Sequence, residues 1–386
     1  MRIAVCHPSL NRGGGAERVC LATIKALMGG GHNVTLLTVD KTDWILLRKR
    51  FGEVLRPNEE FYIFERLPGK GWFSQAAFLA PLFVRNLFAS NLGDFDLIFN
   101  SCGELFDLLA DVAYVNALPF RIMHFYKDSG YPNLWRVKFS SQACNFFVKN
   151  FSHSVNSRLL LANSKFLRHI IEKHFHRGAL VVYPPVEVGK FINFGKELEN
   201  RDNVVVSVSR LRSGKNLGII PKVAQIVGKG EFLIFCNVDQ ASLEVAERLI
   251  QEIDALGVGE RVKLFVNEPF EKVREALSSA KIFLHTQFLE AFGISVVEGM
   301  AAGCVPVVPR CGGPWFDILD CKQGVYGFSY ASVEEAAGLV GLLLSNEGLR
   351  VDVAARARER ARIFDGSVFE GRLLRFVEAV FRRKFG

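Results

Sequence analysis

The sequence predicts an α/β protein made of two Rossmann-like domains facing each other across a cleft, each built on a doubly wound parallel sheet. Apolar strand-like runs alternate with helix-like segments along the whole chain, a pattern typical of parallel sheets covered by helices. The runs form two series, separated by Pro184-Pro185 and a polar stretch. A length of 386 residues suits two or three domains. Because such sheets bind ligands at the carboxyl ends of their strands, we expect a ligand between the domains.

The first series defines an N-terminal domain over residues 1–186. Helical patterns such as Ala16–Met28 and Phe166–Phe175 separate its strands. The Pro-Pro pair ends this domain, and the polar run over 187–202 is predicted to be a linker. The predicted strands are Ile3–Cys6, Val34–Val39, Leu97–Asn100, Leu160–Ala162 and Leu180–Val182.

The second series defines a C-terminal domain over residues 203–362. The remaining segment, 363–386, has a helical pattern, and we expect it to pack back on the N-terminal domain. The predicted strands of the second series are Val204–Val208, Phe232–Cys236, Val262–Phe265, Ile282–His285 and Val305–Val308.

The composition excludes several classes of protein. Hydrophobic residues make up 49% and charged residues 23% of the chain, so it is neither disordered nor a disulfide-stapled miniprotein. Its eight cysteines include no C-x-x-C pair, which argues against a zinc ribbon or a thioredoxin-type site. The longest stretches without charge, 26–39 and 71–84, are shorter than the ~18–20 residues that span a bilayer. With a strand starting directly after Met1-Arg2, we expect a cytoplasmic protein without a signal peptide.

The net charge of +8 is concentrated in one window. Residues 121–177 contain ten Lys or Arg against only Asp128 and Glu172, together with many aromatic residues. This mixture suits the anionic cytosolic face of a membrane, although a solvated positive surface remains an alternative. No nucleic-acid motif accompanies it, so we expect no nucleic-acid partner. A second candidate, 72–92, has the spacing of an amphipathic helix and suits either a membrane or a protein core.

Glycines follow the first strand, at a point where a helix opens. Backbone N–H groups of Gly13, Gly14 and Gly15 could approach an anion there, since the start of a helix attracts negative charge. The spacing is not G-x-G-x-x-G, and a simple tight turn would also explain it. Asp40, near the end of the second strand, keeps a dehydrogenase open as an unfavoured alternative.

Two cations flank a predicted turn after the first strand of the second series. Arg210 and Lys215 lie on either side of Ser213-Gly214, just before a helix. Fixed cations beside the N–H groups of a helix start are suited to a diphosphate, although a solvated turn would have the same sequence.

The segment from Glu290 to Glu298 carries the most specific pattern. Glu290 follows a strand, and the run Phe292-Gly293-Ile294 begins a helix whose first N–H groups can hold phosphate oxygens or a sugar hydroxyl. Glu298 lies about one turn inside that helix, where its carboxylate could accept from both hydroxyls of a ribose, and Glu290 could do the same for a hexose.

These residues together resemble glycosyltransferase family 4, whose members are retaining enzymes of the GT-B fold. The spacing from Glu290 to Glu298 matches the family's E-x7-E signature, and Arg210 with Lys215 resembles its diphosphate clamp. Within the family, the sequence is similar to the α-1,2-mannosyltransferases that extend dolichol-linked oligosaccharides from GDP-mannose. The segments that carry this similarity are Pro269-Phe270-Glu271, Leu284-His285-Thr286, Phe292-Gly293-Ile294, Val296-Val297-Glu298, Met300-Ala301-Ala302-Gly303, Gly312-Gly313-Pro314 and Asp317-Ile318.

The resemblance implies a metal-independent, retaining hexosyltransferase that moves mannose from GDP-mannose to a lipid-linked saccharide. It needs no cofactor, because the nucleotide sugar is a co-substrate. The N-terminal domain would bind the acceptor and the C-terminal domain the nucleotide sugar. Arg210 and Lys215 would stabilise the leaving diphosphate, Glu290 would hold the sugar, and Glu298 would hold the ribose. The remaining donor-binding residues would be Gly14, Gly15, Phe292, Gly293 and Ile294.

The sequence departs from the family at one position. Near the place where the mannosyl subgroup has a histidine, this chain has Asn116, with the following proline displaced by one, and His124 is the nearest alternative. An amide can donate to a sugar hydroxyl but cannot shuttle a proton. The other functions left open are a transferase with a UDP-sugar donor, a non-catalytic carbohydrate- or lipid-binding relative, and a GT-B epimerase or phosphorylase.

Overall fold

The computed structural model describes residues 1–11, 13–66, 95–103, 110–118, 159–194, 197–237 and 242–385. They form two compact units: the described residues up to Pro185 together with those after Asp365 form the first, and Val186–Asp365 form the second. The sequence interpretations of 72–92 and of 121–158 lie outside the described residues.

The first unit is built on a parallel sheet, as predicted. Its strands lie in the order β3-β2-β1-β4-β5-β6-β7, so the chain reverses direction across the sheet beside β1. Helices α1 to α3 connect strands of this sheet. The strands are β1 (Arg2–Cys6), β2 (Asn33–Asp40), β3 (Glu59–Phe64), β4 (Leu97–Gly103), β5 (Val112–Val115), β6 (Leu159–Ala162) and β7 (Leu180–Val181), and the helices are α1 (Gly15–Gly29), α2 (Trp44–Phe51) and α3 (Lys165–Phe175).

The core of the first unit includes residues from the far end of the chain. A long helix over Gly366–Phe385 buries Phe369, Leu373 and Val377 in the same apolar cluster as Ile3. The ring of Phe369 meets that of Tyr114 edge to face, with centroids 6.1 Å apart. Burial of apolar side chains is the main source of stability in such a core. The first unit therefore depends on a helix that follows the second unit in sequence.

The second unit is also a parallel sheet, in the order β10-β9-β8-β11-β12-β13. Its apolar strands are covered by helices, as expected for a parallel sheet. The strands are β8 (Asp202–Arg210), β9 (Glu231–Asn237), β10 (Val262–Val266), β11 (Ala280–Leu284), β12 (Val305–Pro309) and β13 (Phe328–Tyr330). The helices are α4 (Val188–Ile192), α5 (Ile219–Val227), α6 (Leu243–Ala255), α7 (Phe270–Ser279), α8 (Ile294–Ala302), α9 (Val333–Ser345), α10 (Glu347–Ala361) and, returning to the first unit, α11 (Gly366–Phe385).

The segment over 187–202 contains structure of its own. Helix α4 lies in it, and Phe191 packs edge to face on Phe270 at 5.6 Å. Arg201 is buried and donates to the carbonyl of Ala280 at 2.7 Å and to that of Ala302. Carbonyls at the ends of helices lack partners within the helix, and a guanidinium satisfies them well.

In the parts of the chain described here, no helix is both long and apolar enough to cross a membrane.

Candidate active site

The carboxyl edge of the second sheet collects the polar residues that the sequence singled out. Strands β8 and β11 are neighbours, and each is followed directly by a polar segment. Arg210 ends β8, a short 3-10 turn over Ser213–Lys215 follows, and His285 comes directly after β11. The edge where parallel strands end is where open α/β sheets bind ligands.

Lys215 and Glu290 form the centre of this edge. The Lys215 Nζ lies 2.8 Å from Glu290 Oε2, and each side chain is 19% exposed. The Thr286 hydroxyl donates to the backbone carbonyl of Lys215 at 2.6 Å, which ties the turn after β8 to the end of β11. Residues 75 positions apart in the sequence are thus held in one charged pair.

The charge of Glu290 is controlled by its neighbours. Burial by itself would raise the pKa of this carboxyl, but the positive charges of Lys215 and Arg210, with the hydrogen bond from Lys215, lower it overall. Arg210 itself is exposed. Glu290 is therefore ionised at neutral pH and paired with Lys215, and the charge of Arg210 is close enough to contribute.

His285 is a buried neighbour of Glu290. Its Nε2 lies 4.0 Å from Glu290 Oε2 and has no hydrogen-bond partner in the described part of the chain. Burial lowers the pKa of His285 to about 4, so the ring is neutral at pH 7. Its backbone is fixed by the Tyr330 hydroxyl, which donates to the His285 carbonyl at 2.8 Å.

Two glycines hold the loop that carries Glu290. The N–H of Gly313 donates to the Glu290 carbonyl at 2.7 Å. A Cβ on Gly313 would lie 2.3 Å from the Ala291 carbonyl oxygen, and one on Gly312, where φ is +72°, would lie 2.7 Å from that of Glu290. Because any side chain would displace this backbone, the Gly-rich turn sets where the carboxylate lies.

Helix α8 begins at the same edge. Gly293 precedes it with φ of 102°, a conformation that favours glycine, and brings no side chain to cap the first N–H groups. Phe292 is buried against Phe364, with ring centroids 5.3 Å apart, so it supports the helix start through packing. Glu298 is buried one turn inside α8, as the sequence predicted.

The glycine loop lies in the first unit, between β1 and α1. Gly14 precedes α1, and its N–H donates to Glu17 Oε2 at 2.7 Å. The other carboxylate oxygen of Glu17 lies 3.8 Å from Nε2 of His7, the residue directly after β1. The start of α1 therefore presents backbone N–H groups, with the buried side chains of Glu17 and His7 beside them.

Asn116 lies at the carboxyl end of β5 in the same unit. Its side chain packs against Gly103, and its backbone carbonyl accepts from Asn163 at 3.1 Å. Among the residues that the structure describes, the buried Nδ2 of Asn116 has no hydrogen-bond partner, so it can donate to a ligand. His124, the alternative to Asn116, lies outside the described residues.

The structure brings Lys215 and Glu290 into contact, with Arg210 close enough to influence the carboxyl group, while Gly14, Gly15 and Asn116 belong to the first unit. No individual role was predicted from the sequence for His285, Thr286, His7 or Glu17. For His7 and His285 the sequence does contain a clue, because each directly follows a buried strand. Among the described residues, no group of three or more His, Cys, Asp or Glu is arranged to hold a metal ion.

Known proteins resemble this chain in sequence. Residues 190–360 match the family model of "Glycosyl transferases group 1". The chain is a glycosyltransferase. Its relatives include proteins named GDP-Man:Man(3)GlcNAc(2)-PP-Dol alpha-1,2-mannosyltransferase. That of Homo sapiens is 26% identical over 99% of this chain and 87% of its own length, and that of Dictyostelium discoideum is 23% identical over 97% and 84%.

Solved structures share the fold of this glycosyltransferase. Anabaena HepE in complex with UDP and glucose has a TM-score of 0.72 at 17% identity, with 98% of this chain and 100% of that chain covered. Sucrose-phosphate synthase from Thermosynechococcus elongatus has a TM-score of 0.77 at 13% identity, with 99% and 100% covered. Together with its two parallel-sheet units, these similarities give the glycosyltransferase the GT-B fold predicted from its sequence.

Proposed function

We propose that this glycosyltransferase transfers mannose from GDP-mannose to a lipid-linked saccharide, with retention of configuration and without a metal ion. The observation that carries the choice of substrates is the similarity, over nearly the whole chain, to mannosyltransferases whose names state that donor and a dolichol-linked acceptor. The contact between Lys215 and Glu290 supports the reaction class, because it places a cation and a carboxylate together at the edge where such sheets bind ligands.

The leaving diphosphate is assigned to Arg210 and Lys215. An ammonium has three N–H donors, and Glu290 uses one of those on Lys215, so the same group can also donate to a phosphate oxygen. The N–H groups at the start of α8, from Phe292 to Ile294, add further donors. These fixed positive groups stabilise the negative charge that develops on the departing phosphate, the role a metal ion fills elsewhere.

The sugars are assigned to the two carboxylates. Glu290 accepts hydrogen bonds from hydroxyls of the transferred mannose, and Glu298 accepts from the ribose. Gly14 and Gly15 lie against the phosphates. Asn116, or His124 in its place, donates to a hydroxyl of the sugar or of the acceptor.

The reaction we propose needs no protein group as a proton shuttle. The bond from the anomeric carbon to the phosphate oxygen breaks, and a bond to the acceptor oxygen forms on the same face of the sugar. The acceptor proton moves to the departing phosphate oxygen. An amide at Asn116 is compatible with this route, because it only has to orient a hydroxyl.

We also propose that the enzyme works as a peripheral protein on the cytosolic face of an anionic membrane, through residues 121–177. The described part of that window supports this, because Lys165, Arg168 and Lys173 are exposed on α3. Clustered cations of this kind are attracted to acidic lipids.

The donor is tested by thermal denaturation of the protein with GDP, UDP, ADP and their sugars, with and without Mg²⁺. At 100 times its Kd a ligand adds about 2.7 kcal/mol, a shift of a few degrees in Tm. A shift with GDP and GDP-mannose, whether or not Mg²⁺ is present, is expected. A shift with UDP alone would instead favour a UDP-sugar donor, the second candidate, which the UDP-glucose complex of HepE suggests. No shift with any nucleotide would favour a non-catalytic binding protein.

A further inference from the structure

A chain of contacts connects strand β4, through a histidine, to the glycine loop. His7 is buried at the end of β1, and its Nδ1 lies 3.1 Å from both the carbonyl oxygen and the Oγ of Ser101. Its Nε2 faces Glu17 Oε1 at 3.8 Å. The other oxygen of Glu17 accepts from the N–H of Gly14 at 2.7 Å. These four residues all belong to the first unit, and their contacts lead from the sheet to Gly14, which directly precedes α1.

The hydrogen bonds determine where the protons of His7 lie. The Ser101 hydroxyl donates to the carbonyl of Cys6 at 3.0 Å, so its own hydrogen is already used. A carbonyl oxygen can only accept, and His7 Nδ1 must therefore carry a hydrogen. In a neutral ring Nε2 would then present a lone pair to the carboxylate of Glu17, which is repulsive, and the neighbouring Cys20 thiol is only a weak donor. A hydrogen on both nitrogens removes the repulsion and makes the ring positive.

The burial and charge of the neighbours agree with a charged ring. Among the described residues, the titratable groups facing His7 are Glu17 and Cys20, both on α1. Burial alone would lower the pKa of His7, but Cys20 and Glu17 raise it to about 10. Burial would likewise raise the pKa of Glu17, but the hydrogen bond and charge of His7 lower it. Among the described residues, the Arg50 guanidinium also packs against the loop, at Gly13.

A carboxylate at this place conflicts with the role proposed for the loop. The start of a helix attracts anions, and Gly14 has no side chain to occupy the N–H groups there. The negative charge of Glu17, fixed on the Gly14 N–H, would repel a phosphate arriving at the same turn. A positive charge directly behind the carboxylate cancels most of that repulsion, and His7 is the group in that position.

We infer that His7 is a positively charged positioning residue, which neutralises Glu17 and holds it on Gly14 so that the Gly13–Gly15 loop can receive the diphosphate of a substrate. The inference rests on the proposed function. Both the nucleotide sugar and a lipid-linked acceptor of the kind named in the relatives contain a diphosphate. His7 touches neither substrate; it acts through Glu17.

The test compares steady-state kinetics of the full-length wild-type protein with His7→Gln, Glu17→Gln, the double variant and a control, His32→Gln. Glutamine at position 17 can still accept from Gly14 without a charge. His32 lies just beyond the other end of α1. KM and kcat are measured at pH 8 for GDP-mannose and for a dolichyl-diphosphate oligosaccharide separately, so that the substrate whose KM changes identifies the diphosphate that the loop receives.

For His7→Gln we expect KM for that one substrate to rise roughly tenfold, the size of a charge effect at a partly buried helix end, with kcat little changed. The rise should shrink in high salt. Adding Glu17→Gln should restore KM, because the unpaired negative charge is gone. His7→Gln alone should also acquire a pH dependence between pH 5 and 8, with KM rising as Glu17 ionises, whereas the wild type and double variant stay flat.

Circular dichroism and Tm of each variant show whether it is folded, so that a change in KM caused by unfolding is distinguished from one caused by the altered charge. A purely structural role for His7 predicts that the double variant is at least as impaired as His7→Gln and that neither gains a pH dependence, and this result would overturn the inference. A wild-type protein that transfers no mannose and binds no GDP would instead overturn the proposed function. Unchanged KM in His7→Gln, with an active wild type, refutes the inference alone.

Discussion

Replacing Lys215 with alanine is the sharpest test of the active-site assignment. In the structure its Nζ lies 2.8 Å from Glu290 Oε2, and both side chains are only 19% exposed. We propose that the same ammonium also faces the leaving diphosphate. Removing one charged donor from a developing anion costs about 10²- to 10³-fold in kcat, or about 2.7–4 kcal/mol. We therefore expect Lys215→Ala to lower kcat/KM for GDP-mannose by at least two orders of magnitude.

The same substitution should change the pH dependence in a defined direction. The pKa of Glu290 is lowered in the native protein because Lys215 and Arg210 outweigh burial. Without Lys215 burial counts for more, so the pKa rises and the acid limb of the kcat/KM profile moves to higher pH. A carboxyl with a lowered native pKa stabilises the fold above its unfolded pKa, and this contribution disappears as the pH falls through the native pKa. Lys215→Ala should therefore have a lower free energy of unfolding than the wild type at pH 7. As the pH falls, the free energy of unfolding should decrease less in the variant than in the wild type.

The matched control is Lys222→Ala. Lys222 also pairs with a glutamate, Glu252, at 3.1 Å, but its side chain is largely exposed on α5. Transfer rates from GDP-mannose, measured between pH 5 and 9, should be unchanged in this variant, and Tm within about 2 °C of the wild type. If Lys215→Ala keeps a wild-type kcat/KM, or if both variants lose activity equally, the assignment of Lys215 to the diphosphate is wrong.

Three further predictions concern the loop, the core and the membrane. Gly313→Ala should reduce mannose transfer and lower the free energy of unfolding, measured by thermal melting, by about 1–3 kcal/mol, because its Cβ would lie 2.3 Å from a carbonyl oxygen. The control is Gly341→Ala in α9, where a Cβ would meet nothing within 4 Å, and it should be neutral or stabilising in the same measurement. Leu373→Ala should cost about 2–5 kcal/mol in urea unfolding, since Leu373 is fully buried in the core of the first unit, and a smaller loss would show that α11 is weakly docked. Flotation with acidic vesicles should capture the protein at low salt and release it at high salt; equal capture by neutral vesicles would contradict an electrostatic surface.

Much of the fold could be predicted because its strands are apolar on both faces. Each of the ten predicted strands coincides with an observed one, and α1 begins where the glycines predicted a helix. The strands missed have a physical reason. β3 is an edge strand that is only partly buried. β13 has three residues, which are too few to show a strand-like pattern of apolar residues. β5 is fully buried but has only four residues, and the sequence interpretation centred on Asn116 directly after it.

The candidate site could be predicted only where its residues share one sequence motif. Glu290 and Glu298 are eight residues apart, and their placement on a loop and one turn inside a helix follows from local pattern. The pairing of Lys215 with Glu290 depends on β8 and β11 being neighbours, which no local pattern specifies. The roles of His7 and Glu17 were missed for the same reason, since the proton positions on His7 depend on Ser101 from a distant strand.

The position of α11 has a consequence for how the protein is made. Residues 1–185 leave the ribosome first, yet the cluster around Ile3 lacks Phe369, Leu373 and Val377 until the whole second unit has been synthesised. Synthesis at about 5–20 residues per second leaves the nascent first unit without this helix while the whole second unit emerges. A premature stop after Asp365 would spare Arg210, Lys215 and Glu290, yet leave an apolar groove uncovered in the first unit. A stop codon introduced after Asp365 should thus produce chains that are cleared by cellular quality control, although every proposed donor contact of the second unit is still encoded.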